Sequence, residues 1–405
     1  MSNIDVLFIC NYLGEFEAGY RRVKYFFEYL RSKGLRTRCI GVIHLTSYGI
    51  IRPSKECYEV PLSVSSSNLA FLPINFINYV LSFSIIPLIL ILKPRVVVVS
   101  IPDSHILLAS YIGSLMVGSR IIVDIRDPQE KLILISYKKG LSKFVAKAYK
   151  LINHSLYKRA SSITVTTRTL VEWMTKDIGK QVNLIPNGAD LRIFKAIDKR
   201  EARTKLGLNQ GSLLIAYIGL LSSRGYYNIL PLLMATRKIR RKLGVDVKLV
   251  VAGPIYDGVV KRIIDYFKEE VTYMGVLDVK GVITLLSASD IGVIPRVGDA
   301  VYDYAIPAKF YEYVATGLPM IVLARKRSEL GEVIEKNKLG FLCEPRDHIC
   351  LEKVIETLAL NRGLLDELRK NVLEFKKYVD RRIGAERLLK LIIWLIQDDK
   401  FDARG

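Results

Sequence analysis

Histidine and cysteine are scarce in this sequence, and acidic residues are outnumbered by basic ones, 40 against 61. The four histidines (His44, His105, His154, His348) show no metal-ligand spacing, and none of the five cysteines (Cys10, Cys39, Cys57, Cys343, Cys350) form a C-x-x-C pair. Both absences argue against a zinc site. Scattered cysteines, odd in number, also fit a reducing compartment and argue against a disulfide framework. There is no D-x-D, so no metal site is indicated. There is no G-x-G-x-x-G, so a dinucleotide site has little support. The opening MSNIDVLFIC enters a strand at once without a cationic lead or cleavage site, so no signal peptide is expected. Two absences are local: no charged residue occurs from Val60 to Leu92, and no acidic residue between Glu130 and Glu172.

What is present begins with size and charge. The 405 residues suffice for two ordinary domains, each with its own core. A formal charge of +21 calls for an anionic partner: a membrane face, nucleic acid or phosphorylated substrates. Nucleic acid is not expected, because no basic–aromatic strand motif or recognition helix is found.

DVLFICNY reads as a strand, LGEFEAG as a loop, YRRVKYFFEYLRSKG as a helix ended by Gly34, and RTRCIGVIHL as the next strand. That order opens an α/β sheet. Gly14 and Gly19 either let the backbone approach a ligand at the strand's end or make a plain turn. IIVDIRDP is a strand ending in Asp124, Arg126 and Asp127, which suits either crevice chemistry or a structural Arg–Asp pair. After the Asn187-Gly188 turn a second α/β series begins, so a domain boundary is expected near Asp190. In that series Arg224 lies in the loop after SLLIAYIG, and Gly253 ends DVKLVVAGP. A guanidinium at a strand-end loop suits phosphate oxygens.

FLPINFINYVLSFSIIPLILIL is long enough for a membrane span, for which about 20 apolar residues suffice. Pro73, Asn75, Asn78 and Pro87 interrupt it, and KPRVVVVSIP follows as a strand. A helix packed on the sheet or lying in a membrane interface is expected first, with a partly inserted hairpin next and a true span last. Downstream, Lys143, Lys147, Lys150 and Lys158 follow helical spacing on one face, with Phe144, Val145, Ala148, Leu151, Ile152 and Leu156 on the other. Such a helix either anchors on anionic lipid or is an ordinary solvated face.

The chain is organised around YDYAIPAKFYEYVATGLPMIV, Tyr302 to Val322. Pro307 suits a first helical turn, Gly317 a helix end, and MIVLA a buried strand. A helix N-terminus favours a phosphate. Lys309 and Glu312 lie three apart there, as a phosphate-and-hydroxyl clamp or as a surface ion pair.

The spacing P-x-K-x-x-E-Y-x-A-x-G-x-P, from Pro307 through Lys309, Glu312, Tyr313, Ala315 and Gly317 to Pro319, resembles the signature of family-4 retaining glycosyltransferases. Other segments stand in that family's order: Y-I-G with a later R-G (Tyr217 to Gly225), V-A-G-P at Gly253, A-S-D-I-G-V-I-P (Ala288 to Pro295), I-P-N-G-A-D (Ile185 to Asp190) and D-I-R-D (Asp124 to Asp127). The resemblance implies the GT-B fold, two Rossmann-like parallel-sheet domains facing across a cleft. Residues 1–190 would bind the acceptor, residues 191–380 the nucleotide-sugar, and the helix of 381–405 would pack back on the first domain. Arg224 and Lys309 would neutralise the diphosphate, and Glu312 would hold the ribose. The backbone at Val276 would face the base, the Gly14–Gly19 loop would close on the sugar-phosphate, and Asp127 would lie near acceptor or sugar. Gly219, Gly253 and Pro307 would complete the donor site. One departure is Tyr304, eight residues before Glu312, where the family often has Glu; either Asp303 or Asp299 would substitute, or backbone amides would hold the sugar. The R-x-x-x-x-K loop is also reduced to Arg224, with Leu220 after the glycine.

The implied activity is transfer of a sugar from a nucleotide-diphosphate-sugar to a lipid-linked or polysaccharide acceptor, with retention, without metal or cofactor. The nucleotide-sugar is a substrate. The expected location is cytoplasmic, peripheral on the inner, anionic membrane face. Two alternatives remain open at this point: a sugar-nucleotide epimerase on the same fold, and a non-catalytic glycosyltransferase-like subunit.

Overall fold

The computed structural model describes residues 4–10, 18–46, 49–51, 57–64, 71–101, 104–128, 131, 140–223, 228–296 and 298–402. Gly14 and Arg224 lie outside them. The chain divides into two compact units, residues 1–187 with 381–405, and residues 188–380.

The first unit is built on strands β1 (Ile4–Cys10), β2 (Thr37–Thr46), β3 (Gly49–Ile51), β4 (Tyr58–Val64), β5 (Pro94–Ile101), β6 (Arg120–Ile125), β7 (Ser162–Val165) and β8 (Asn183–Leu184). Their order is β3-β2-β1-β5-β6-β7-β8, with β4 also paired to β2. Every pairing is parallel except β2–β3, which is antiparallel. Parallel strands are covered on both faces, so β1 and β5 read as continuous apolar runs rather than alternating ones. The closing helix Arg381–Asp402 belongs to this unit. Its Ala385, Leu388, Ile392 and Leu395 join Phe8, Phe26, Phe27 and Val98 in one core.

Four of the five cysteines are paired, which corrects the reading of their spacing. Cys39 and Cys57 are joined with Cα atoms 4.7 Å apart, and Cys343 and Cys350 with 5.8 Å. The first pair follows from strand register: β2 pairs β4 with Ile40 opposite Tyr58, so Cys39 meets Cys57. The second links the end of a strand to the first turn of the helix His348–Leu360. Cysteine usage therefore gives no argument for a reducing compartment.

The uncharged stretch is two helices, Phe71–Ser82 and Ile85–Leu92, rather than one. Ile85 and Ile89 are buried, whereas Ile77, Val80, Leu81, Phe83 and Ile91 are exposed. Among the described residues no helix is long and apolar enough to cross a membrane. The basic helix spans Gly140–Arg159, and its lysines do not all face outward. Lys147 is exposed, but Lys150 is turned onto Asp177 at 3.0 Å. Phe144 and Leu151 are about as exposed as Ile91, at 70% and 72%.

The second unit carries β9 (Leu213–Ile218), β10 (Val247–Ala252), β11 (Val271–Tyr273), β12 (Ile291–Pro295), β13 (Met320–Leu323) and β14 (Gly340–Cys343). The order is β11-β10-β9-β12-β13-β14, all parallel. The order reverses between β9 and β12, and ligands of open α/β sheets bind at the carboxyl ends of the strands flanking such a point. The helix Ala308–Ala315 is fastened over this seam. The buried Tyr313 hydroxyl accepts from the Ile218 amide at 3.4 Å and donates to the Val293 carbonyl at 3.3 Å. Gly292 makes room for that ring, since a Cβ there would stand 2.5 Å from it.

Candidate functional site

The carboxyl ends of β9 and β10 meet through glycine. Gly219 and Gly253 have φ of +128° and +139°, which only glycine adopts without strain. A Cβ on Gly253 would lie 2.0 Å from the Gly219 carbonyl oxygen, so backbone touches backbone here. The Gly219 amide donates to the Ala252 carbonyl at 2.9 Å, and the Gly253 amide to that of Gly275 at 2.8 Å.

Lys309 reaches over this floor. Its Nζ is 4.0 Å from the Tyr217 ring centroid and would lie 3.2 Å from a Cβ on Gly219. Tyr217 is itself fixed by donating to the Leu220 carbonyl at 2.7 Å. Pro307 is the N-cap of the helix rather than its first residue, with φ −69° and ψ 150°. The first turn closes when the Phe310 amide bonds the Pro307 carbonyl at 3.0 Å. The amides of Ala308 and Lys309 precede any helical acceptor and face the same end as the ammonium. Glu312, one turn on, is buried.

Burial, with repulsion from Arg296, lowers the Lys309 pKa to about 7, against the pull of Glu312. Arg296 follows β12 directly, across the strand-order reversal from Gly219, and donates to the Ala305 carbonyl at 2.9 Å. The sequence reading missed it. A cation immediately after IGVIP is the same strand-end signal that drew notice to Asp127.

Asp303 lies in the short turn Ala300–Tyr304 and faces Arg325 at 3.4 Å and Arg327 at 3.7 Å. Burial raises its pKa, against the pull of Arg325. Asp299 caps the same turn through the Val301 amide, 3.2 Å away. Val276 is exposed beyond Gly275 at the end of β11. Asp257 was also missed. It accepts from the Ser223 amide at 2.9 Å and from both serine hydroxyls, Ser222 and Ser223, at 3.1 Å. The Ser223 amide bond leads in pulling its pKa down to about 2. Asp257 also caps the helix Gly258–Tyr266, so it moors the loop just before Arg224.

In the first unit Gly19 lies against the end of the Arg126 side chain, which a larger residue would displace. A Cβ there would fall 1.6 Å from an Arg126 guanidinium nitrogen. Asp127 is exposed in the turn after β6. The structural pair in D-I-R-D is formed by Asp124 with Arg22, 3.0 Å apart and both buried. The structure thus gathers Gly219, Gly253, Lys309, Pro307 and Glu312 in the second unit, while Gly19 and Asp127 belong to the first. Among the described residues no group of three or more His, Cys, Asp or Glu is placed to hold a metal.

Residues 198–375 match the model of the family described as glycosyl transferases group 1. Along 97% of its length the chain superposes on sucrose-phosphate synthase from Thermosynechococcus elongatus, covering 99% of that chain with a TM-score of 0.74 at 15% identity. The chain has the GT-B fold and is related to that family. The Anabaena protein Alr3699/HepE, solved with UDP and glucose, gives a TM-score of 0.69 at 14% identity, over 96% of this chain and 99% of that one. A probable glycosyltransferase, WbjE of Pseudomonas aeruginosa, is 22% identical over 130 residues. That match spans 31% of this chain and about a third (32%) of the relative.

Proposed function

We propose that this GT-B protein transfers a sugar from a nucleotide-diphosphate-sugar to a lipid-linked or glycan acceptor, retaining the anomeric configuration and using no metal. The observation that carries this reading is the Lys309 ammonium held over the Gly219 backbone at a helix N-terminus. A cation and a helix N-terminus on one turn supply the positive charge that a departing diphosphate requires. The Anabaena protein of the same fold was solved with UDP and glucose, which agrees with a nucleotide-sugar donor.

In the proposed reaction the bond from C1 to the diphosphate oxygen breaks, and its electron pair leaves with the diphosphate. The acceptor hydroxyl oxygen bonds C1 from the same face, and its proton passes to a donor phosphate oxygen. Lys309 and the amides of Ala308 and Lys309 stabilise the charge that develops; Arg224 adds a second cation. Glu312 holds ribose hydroxyls, the backbone at Val276 faces the base, and Gly14, Gly19 and Asp127 serve the sugar and acceptor. The part of the missing glutamate falls to Asp303, which also faces Arg325, to Asp299 or to backbone amides. An epimerase would need acids and histidines near Lys309, and none of the four histidines lies in that stretch. The test is release of nucleoside diphosphate from nucleotide-sugars by the purified protein in excess chelator. Turnover abolished by chelator and restored by manganese would overturn the metal-free reading.

A depressed Lys309 pKa has a consequence for binding. Below about 7 the side chain is an ammonium, and above it an amine that cannot neutralise phosphate. Nucleoside diphosphate affinity should therefore fall about tenfold per unit as pH rises from 7 to 9. Lys309→Arg, charged throughout, should flatten the profile. A wild-type affinity constant over that range in titration calorimetry would refute the assignment.

The acceptor's lipid character rests on the first unit. Exposed Phe144 and Leu151 flank Lys147, and Ile77, Val80, Phe83 and Ile91 are exposed on the uncharged helices and the turn between them. Interfacial docking on the cytoplasmic membrane face is the reading these residues support. Lys147→Glu should weaken binding to vesicles containing anionic lipid by about 1 kcal/mol for the lost attraction. Phe144→Ser should weaken it further, and Lys150→Glu is unsuitable because it breaks the Asp177 pair. Co-sedimentation checks this; a wild-type chain that ignores such vesicles at low salt refutes it.

A further inference from the structure

A second cationic cavity lies at the opposite edge of the second unit's sheet. Ser212 and Asp290 stand just before β9 and β12, whereas Gly219 stands after β9. Six strand residues separate the two edges, a span of about 20 Å. The cavity, of about 650 Å³, is lined by Lys199, Arg200, Arg203, Arg362 and Arg369. The acids lining it are Asp290 and Asp366.

Asp290 is buried and already oversupplied with positive charge. Its carboxylate contacts the Lys199 ammonium, the Arg203 guanidinium at 2.8 Å, the Arg362 guanidinium at 3.6 Å and the Leu214 amide at 2.7 Å. Arg203 is further spent on the carbonyls of Ala288, Asn209 and Gln210. Its role is to build the wall. The others keep donors to spare. Arg369 uses only Nε, toward the Gly317 carbonyl at 3.2 Å, so among the described residues its two terminal nitrogens make no hydrogen bond. Arg362 adds one long bond to the Gly211 carbonyl, at 3.4 Å. Arg200 contributes a side chain with no hydrogen bond among the described residues. Five cations face two carboxylates in one concavity. Guanidinium groups with open forks are matched by phosphate oxygens, which accept in pairs.

We infer that this cavity is a binding site for a small oligophosphate, separate from the Lys309 site. The ligand bridges Arg362, Arg369 and Lys199, with Arg200 at the mouth, and neutralises the charge that Asp290 and Asp366 leave over. It is a second site on the same unit, and it stands whether or not the transferase reading holds.

Inorganic tripolyphosphate is the probe, titrated calorimetrically into the full chain at 0.15 M salt. Lys309→Ala should keep a tripolyphosphate site. In that background Arg362→Ala with Arg369→Ala should weaken binding at least tenfold. Arg200→Glu, an exposed change that breaks no hydrogen bond of that side chain, should weaken it several-fold and covers the case of a misfolded double variant. The inference is overturned by no binding to wild type at millimolar probe. It is equally overturned if Lys309→Ala abolishes all binding, or if neither Arg362/Arg369 replacement nor Arg200→Glu changes the remaining site.

Discussion

Lys309→Ala should lower kcat/KM by about two to three orders of magnitude, the loss seen when one preorganised donor to a developing anion is removed. The charge grows on the diphosphate as the glycosidic bond breaks, so much of the loss should fall on kcat. Glu312→Ala should act differently. It removes proposed hydroxyl contacts, which weakens donor affinity, and it removes the carboxylate that holds the Lys309 pKa up. Its activity profile should therefore shift to lower pH as well as lower affinity. Arg224→Ala should resemble Lys309→Ala, and the double variant should be non-additive because both act on one diphosphate. Lys309 is half-buried and among the described residues its side chain makes no hydrogen bond, so its removal should leave the fold intact by circular dichroism. Near-normal turnover from folded Lys309→Ala would mean that this helix is only a helix.

The stretch Tyr302–Val322 was legible because local rules agree there. A proline cap, helix formers, Gly317 with φ +70° and a β-branched strand all point one way. The strand order of the second unit was legible only through resemblance, since nothing in LLIAYI or MIVL says which strands are neighbours. Contacts set by register escaped entirely. Cys39 and Cys57 are eighteen apart in sequence, and only the β2–β4 pairing brings them together. Arg296 and Asp257 escaped for another reason. Each is a single polar residue at a loop, and its importance appears only when a neighbouring loop closes on it. The basic helix was legible as a helix but not in its facing: Asp177 captures Lys150 from a different element. In D-I-R-D the sequence offered an Arg–Asp pair, and the arginine proved to be Arg22 rather than Arg126.

That pair carries the second large effect. Asp124→Ala should destabilise the first unit by about 3–5 kcal/mol, because it strands a buried guanidinium. Arg22 donates to both carboxylate oxygens, at 3.3 and 3.0 Å, and Ser100 and Thr164 add hydroxyl donors at 3.0 and 2.9 Å. The same guanidinium reaches the carbonyls of Ile185 and Pro186 and the side chain of Asn187, so the loss reaches the end of the unit's last strand. Burial alone would raise the Asp124 pKa, but Arg22 and Thr164 overcome it, and the folded value lies below the ordinary carboxylate value. A depressed folded pKa gives stability that is present above the unfolded value of about 3.9 and is lost as pH falls through the folded one. The gap between wild type and Asp124→Ala in urea melts should therefore be full at pH 7 and narrow below about pH 4. Replacing both partners, Arg22→Met with Asp124→Ala, should cost less than the single change, since no charge is then left buried. A single variant within about 1 kcal/mol of wild type, or a double variant worse than the sum of both singles, would show that the pair is not what fastens β6 to the chain at Ile185–Asn187.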